Sequence, residues 1–413
     1  SSDLASEPAG NGTGDMNVLI VGPWTAASLA FARCLRREGI DVYLLQTASG
    51  NYCAPRTWSA VAGGETLPTP LSFTPAGIDR IRQYADEIRA AAVAALTDRE
   101  LVWLARNRDA FEPDVRVLIQ PAQAIEAVLS KRYQIEIAAS ARLPLLPTYL
   151  VGREADTESI PSSAYPLALR PDQPADVDPS FKVHLVRSQD DLRGFIRAAR
   201  EIRSPIIAQP FLPLPTLVVH GARDQAGRVL SVAGYSVVRK RQGLSVTLER
   251  RGLSRDVERM CERFAAAANI RGCYHFEFLE APDGQVYFLE VNVRLGGTTD
   301  KVVHAGFDEP ILLLRSFGLT PPAVREPRRA HRRVTNKRAL LKYLVEALRG
   351  TLTEFDYPKA TRLRHIMTSC LDLVTAKDSI FDLRDVRGSV AFHLRDLLTQ
   401  LGSGPRPVLP RRP

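Results

Sequence analysis

The stretch GCYHFEFLEAPDGQVYFLEVNVRLGG, from Gly272 to Gly297, decides how this chain is read. Runs rich in aromatic and β-branched residues flank Pro282-Asp283-Gly284, where a fixed φ, a side-chain turn bond and tolerance of positive φ favour a tight reversal, so the stretch reads as a β-hairpin. Along its second strand, alternation sends Glu290, Asn292 and Arg294 to one face and Leu289, Val291 and Val293 to the other. A loop of Ala281 to Gly284 pairs Glu280 with Gln285 and brings Glu277 onto the face of Glu290, and a slip of one residue undoes this. Two carboxylates, an amide oxygen and a guanidinium on one rigid face suit a hard cation beside phosphate: oxygens take Mg²⁺, and Arg294 forks onto phosphoryl oxygens. A solvated strand face accounts for each of these residues singly. It does not account for four of them converging opposite a hydrophobic face and running into Leu295-Gly296-Gly297-Thr298-Thr299.

At 413 residues the chain has length for two or three domains, and 45% hydrophobic with 24% charged residues is ordinary for a globular protein. No apolar run reaches the roughly 18 to 20 residues of a membrane span, and the first residues lack the order of a signal peptide, so the expectation is a cytoplasmic protein with no membrane partner. Five cysteines, Cys34, Cys53, Cys261, Cys273 and Cys370, form no CxxC pair and read as reduced thiols. The net charge of +9 gathers in Arg325, Arg328, Arg329, Arg332, Arg333, Lys337 and Arg338. No aromatic residue interleaves that run as base stacking requires, so it reads as a solvated basic segment or one answering an acidic partner or substrate, and not as a nucleic-acid site.

Read in order, Ser1 to Asp15 is a polar mobile tail. Asn17 to Gly22, Ala26 to Glu38 and Asp41 to Gln46 form a βαβ opening, in which Gly22 is either a tight turn or a close approach to a ligand. Helical periodicity runs from Gly77 to Ala95, Val102 to Ala105 and Val115 to Gln120 are short strand candidates, and a doubly wound domain of about 120 residues holds them. Ile125 to Ala141 reads as one helix, Asp190 to Ala199 and Arg255 to Ala268 as two more. Leu217 to Ala222, Val229 to Arg239 and Leu244 to Glu249 alternate as sheet strands. Asp300 to Gly318 is a helix broken by Gly306 and Pro310, Thr320 to Arg338 a Pro- and Arg-rich linker, and Ala339 to Leu401 a helical region with a Phe355-Asp356-Tyr357-Pro358 turn and no chemistry of its own.

Glu277, Glu290, Asn292 and Arg294, followed by the glycine loop, resemble the metal and phosphate signature of the ATP-grasp superfamily, which includes D-alanine ligase, biotin carboxylase and many carboxylate-amine ligases. The likeness spans about Met16 to Leu319, with its specific part in the hairpin. It implies an α/β (α+β) ATP-grasp fold: an N-terminal doubly wound pre-ATP-grasp domain at 16–122, then an ATP-grasp domain at 123–319 comprising a central lid near 148–212 and an antiparallel-sheet part, with a basic linker and helical region at 320–413. It further implies ATP with one or two Mg²⁺, or Mn²⁺, held by Glu277, Glu290 and Asn292. Lys131, Arg170, Lys182, Gln209, Phe211 and Leu212 then meet the nucleotide, while Arg294, Gly296 and Gly297, with Arg239 or Arg241, meet the reacting groups.

The activity implied is amide or peptide bond formation through an acyl phosphate, releasing ADP and phosphate, on small-molecule acid and amine substrates, with a homodimer as the assembly considered. Four features depart from the family's pattern. Arg170 stands where lysine is usual, Gln209 where glutamate is common, the acid for the ribose is missing near Thr216, and the loop Asp172 to Pro179 lacks the glycines whose amides cover phosphates. These departures motivate the alternatives of a nucleotide-binding protein without ligase turnover or another ATP-dependent phosphoryl-transfer enzyme.

Overall fold

The computed structural model describes residues 16–47, 60–321, 330–356 and 361–402. The expected tail, Cys53, Tyr357, Pro358 and the Arg325, Arg328 and Arg329 part of the basic run lie outside the described residues.

The expected βαβ opening is β1 (Asn17–Val21), α1 (Ala26–Arg37) and β2 (Asp41–Gln46), and Thr25 starts the helix by accepting from Ser28 N at 3.2 Å. With β3 (Gly63–Thr66), β4 (Ala90–Ala95) and β5 (Arg116–Val117) they make a five-stranded parallel sheet in the order β3-β2-β1-β4-β5. Covering helices are α2 (Pro75–Glu87) and α3 (Asp98–Arg106). Two readings are corrected here. The periodicity from Gly77 to Ala95 ends at Glu87, because Ala90–Ala95 pairs with β1 at the sheet centre, where buried backbone pairing outweighs alanine's preference for helix. Val102 to Ala105 belongs to α3 and not to a strand.

The single helix read over Ile125 to Ala141 is two, α4 (Ala122–Leu129) and α5 (Lys131–Ser140), broken at Ser130, whose hydroxyl accepts from Tyr133 N at 3.2 Å and opens the second. Next come β6 (Tyr149–Val151), β7 (Leu167–Arg170), β8 (Val177–Asp178), β9 (His184–Val186), α6 (Gln189–Ala198), β10 (Glu201–Ile202) and β11 (Ile206–Pro210). They form a four-stranded antiparallel sheet, β6-β11-β7-β9, and a β10-β8 ribbon.

The largest sheet is built from β12 (Thr216–Arg223), β13 (Val229–Arg241), β14 (Leu244–Arg251) and the hairpin β15 (Gly272–Glu280) and β16 (Val286–Asn292), with α7 (Arg255–Ala267) against it. Phe264 of α7 and Phe276, Phe278 and Phe288 of the hairpin are fully buried, with ring centroids 5.3 to 6.3 Å apart. Burying these rings on one face is what fixes the opposite face toward the cleft, and loss of one such ring removes about 3–5 kcal/mol.

After α8 (Thr299–His304) and α9 (Glu309–Ser316), the expected linker contributes β17 (Arg333–Thr335), which pairs with β14. Then come α10 (Lys337–Arg349), α11 (Arg362–Thr375), β18 (Lys377–Asp378) and α12 (Val386–Gly402), and the sheet order is β16-β15-β12-β13-β14-β17-β18. The described part of the basic run is therefore not simply solvated: Arg333 binds both Glu249 and Asp372, and Arg332 binds Glu249 at 2.8 Å.

Candidate active site

The hairpin register differs from the expected one and arrives at the same juxtaposition by another route. Ala281 N donates to Gln285 O at 2.8 Å, so the loop is one residue longer at its far end and Glu280 pairs with Val286. Carried through, that register would set Glu277 opposite Leu289 and turn Glu290 away. Instead the ladder shifts between Glu277 and Phe278: Phe278 pairs with Phe288, Glu277 with Glu290 and His275 with Asn292. Leu289 is the extra residue of a β-bulge. Consecutive Leu289 and Glu290 both come to the half-buried face, which corrects the assignment of Leu289 to the core face.

Burial, followed by the facing Glu290, pushes the Glu277 carboxyl above its usual pKa, against the opposing pull of Lys240, Lys182 and Arg170. Among the described residues no three His, Cys, Asp or Glu side chains gather around one point. The donor set here is two carboxylates and the Asn292 amide oxygen. Hard oxygen ligands, two of them carboxylates, fit Mg²⁺.

A cleft of about 820 Å³, counting its open mouth, lies between Leu279 and Leu289 of the hairpin and the four-stranded sheet; Glu277, Glu290 and Asn292 are not among its lining residues. Arg170 spans it, donating to Leu289 O at 3.2 Å and to Gln209 Oε1 at 2.6 Å, while Gln209 Nε2 donates to Thr148 at 2.9 Å. Gln209 is thus the polar clamp of Arg170. Burial holds the Arg170 pKa below its ordinary value against Glu290 and Glu277. Lys131, first in α5, donates to Asp172 O at 3.2 Å, and burial lowers its pKa while Glu290 opposes the shift. The Asp172 carboxylate accepts from Ser130 Oγ and Arg132 N, both at 2.9 Å, so the glycine-free loop begins by capping α5, and the β8-β10 ribbon ties it down further on. Phe211 and Leu212 line the cleft as expected, and Lys182 is exposed beside the Gln242-Gly243 turn.

Arg239 and Arg241 do not line this cleft. Arg239 is 3% exposed and is held by Ser369 Oγ at 3.0 Å and by Asp372, and Arg241 forks onto Glu346 at 3.1 and 2.6 Å. Both dock the C-terminal helices. Lys240 between them lines the cleft and acts on Glu277. Asp372 and Ser369 of α11 and Glu346 of α10 claim the two arginines, and this leaves the middle residue of the run for the cleft.

No protein-family model and no curated protein matches the chain. Solved structures do. The L-amino acid ligase from Bacillus licheniformis matches with 20% identity and a TM-score of 0.58, covering 74% of this chain and 75% of that one. The ADP complex of an N5-carboxyaminoimidazole ribonucleotide synthetase matches with 14% identity and a TM-score of 0.60, covering 81% and 86%. A biotin carboxylase–β,γ-ATP complex from Campylobacter jejuni matches with 16% identity and a TM-score of 0.56, covering 75% and 72%. The fold is ATP-grasp.

Within this ATP-grasp fold the glycine loop rests on a buried polar floor. Gly296 N donates to Thr299 Oγ1 at 2.9 Å, Thr299 Oγ1 donates to Glu309 Oε2 at 2.6 Å, and His220 joins Glu309 Oε1 at 2.7 Å and Thr298 Oγ1 at 3.0 Å. The Gly296 amide is engaged there, which corrects its expected role toward a reacting oxygen. The exposed Gly297 amide takes no part in these bonds.

The C-terminal region, read as carrying no chemistry, supplies a cleft wall. Phe355 lies edge-on to Phe211 with centroids 5.1 Å apart, Glu354 is ion-paired with Arg187 beyond β9, and Asp356 accepts from Gln242 N at 2.6 Å to fix the turn. No local signal marks Phe355, because its partner lies in another sheet.

Proposed function

We propose that this protein is an ATP-dependent carboxylate-amine ligase that works through an acyl phosphate on an amino acid or small carboxylic acid. The observation carrying this reading is the register that sets Glu277 opposite Glu290 with Asn292 beside them, facing the cations of Lys131, Arg170 and Lys240. Glu277, Glu290 and Asn292 would hold Mg²⁺, which neutralises phosphate charge when bound. Lys131, Arg170 and Lys240 bind phosphoryl oxygens and hold the γ-phosphorus toward the acid. A carboxylate oxygen of the acid attacks that phosphorus, the bond to the β,γ-bridging oxygen breaks, and ADP leaves. The neutral amine then attacks the acyl carbon, phosphate departs with the C–O bonding electrons, and the nitrogen releases its extra proton. Arg294 and the Gly297 amide stabilise the oxyanion between these events. The fold, and the amino acid ligase, synthetase and carboxylase names of its structural neighbours, support this chemistry.

Phe211, Leu212 and Phe355 would form an apolar wall against the adenine. Phe355→Ala is then expected to raise the KM for ATP about ten- to a hundredfold, the equivalent of the roughly 1–3 kcal/mol of a base–aromatic contact, with kcat held within a few-fold. An unchanged KM would remove the C-terminal turn from the nucleotide site.

Product analysis of ATP incubated with Mg²⁺ and a panel of acids and amines tests the whole reading. ADP formed only when acid and amine are both present supports it. AMP release would sink the acyl phosphate, and tight ATP binding with no cleavage would favour a nucleotide-binding role.

A further inference from the structure

Three strand ends of the parallel sheet meet beside the metal face. The order β3-β2-β1-β4-β5 places β1 and β4 side by side, with connections leaving in opposite directions, and the crevice outside their carboxyl ends is where open α/β sheets bind ligands. Here the crevice is polar and partly unsatisfied. Gly22, after β1, has φ +135, and a Cβ on it would lie 3.9 Å from Glu100 Oε2. Glu100 is 2% exposed, accepts from Thr47 Oγ1 at 2.7 Å and is also bonded by Thr97, so β2 and β4 hold it from both sides. Gln46, which ends β2 and is 1% exposed, leaves Nε2 without a partner among the described residues. Asp98, first in α3, reaches out of this crevice and forks onto Arg294, with Oδ2 2.9 Å from Nη2.

An Asp98 side chain 51% exposed gripping an Arg294 side chain 20% exposed is a weak stabilising device, worth at most about 1 kcal/mol. It is well suited to exchange. A molecule with a carboxylate and a protonated amine on one carbon can insert between the two partners, its carboxylate taking the Arg294 fork and its ammonium taking Asp98, so that every charge stays paired. A carboxylic acid without the amine would displace Asp98 from Arg294 and bring no cation in exchange. A simple amine would strand Arg294 instead.

We propose that the acid donated to the reaction binds in the β1/β4 crevice as an α-amino acid zwitterion, with Asp98 as the residue that selects for its ammonium group. The fate of the carboxylate rests on the ligase reading above, whereas binding does not. The test is titration calorimetry of the twenty common α-amino acids and their matching des-amino acids, such as alanine against propionate, with wild type and Asp98→Asn. The titrations are run with and without a non-hydrolysable Mg-ATP analogue, and ADP release is read in parallel.

The expected result is at least one amino acid binding about fivefold more tightly than its des-amino partner, with that gap closing in Asp98→Asn and the affinity for the ATP analogue unchanged. Equal binding of the des-amino partner, a gap untouched in Asp98→Asn, or no amino acid binding in either nucleotide state would overturn the assignment. Should Asp98→Asn fail a thermal-melt check, the wild-type gap alone decides. An amino acid that binds with the expected gap but elicits no ADP release upholds this site and counts against the ligase reading.

Discussion

Glu290→Gln is expected to lower ADP formation about a thousandfold while leaving the melting temperature close to that of the wild type. The first half follows from charge. A metal ion that offsets developing phosphoryl charge contributes several kcal/mol, and about 4 kcal/mol corresponds to roughly a thousandfold in rate. Glutamine keeps the shape of the side chain but removes one of the two anionic donors set opposite each other by the Leu289 bulge. The second half follows from the pKa of Glu277, which stands above its usual value through burial and then through the facing Glu290. Removing that neighbour relieves this repulsion in the ligand-free protein and at the same time takes a counter-charge from buried Arg170 and Lys131, so the two effects offset. Kinetics by coupled ADP detection and a thermal melt check both halves. Wild-type turnover in the variant would eliminate the metal face, and a collapsed melt would mean that Glu290 holds the hairpin together.

The hairpin was legible in the sequence because its two requirements are local: alternating aromatic and polar residues, and a Pro-Asp-Gly reversal. Its register was legible only in outcome. Nothing in the residue types marks Leu289 as a bulge, and the loop runs to Gln285 instead of ending at Gly284. Where pairing across distant segments decides, local reading fails. Ala90–Ala95 has the composition of a helix and becomes a strand because β1 and β5 flank it. Arg239, Lys240 and Arg241 look equivalent as a charge run, and only the positions of Asp372 and Glu346 on the C-terminal helices leave the middle residue for the cleft. Phe355 and Asp98 were missed for the same reason. Each meets its partner, Phe211 or Arg294, across more than a hundred residues of chain.

The floor beneath the glycine loop gives the second large effect. A Cβ on Gly296 would stand 2.5 Å from His275 Cε1, closer than nonbonded carbons approach. His275 has little room to yield. It is buried, with burial and then the neighbouring His220 holding its pKa well below the usual value, and its ring stacks on that of His220 at 5.1 Å and 16°. His220 is in turn fixed by Glu309 and Thr298. The strain of an added methyl therefore passes to the loop, which carries the Gly296 N–Thr299 bond and leads back to Arg294 and Asn292.

Gly296→Ala is accordingly expected to lower kcat/KM about a hundredfold and to destabilise the fold by roughly 1–3 kcal/mol through overpacking. A methyl that collides with one ring is relieved by removing that ring. His275→Ala combined with Gly296→Ala should be more stable and more active than the two single losses multiplied, with a coupling of about 1–3 kcal/mol. Strictly multiplicative losses would show that the loop needs glycine for its backbone freedom alone and that the histidine floor does not set its position.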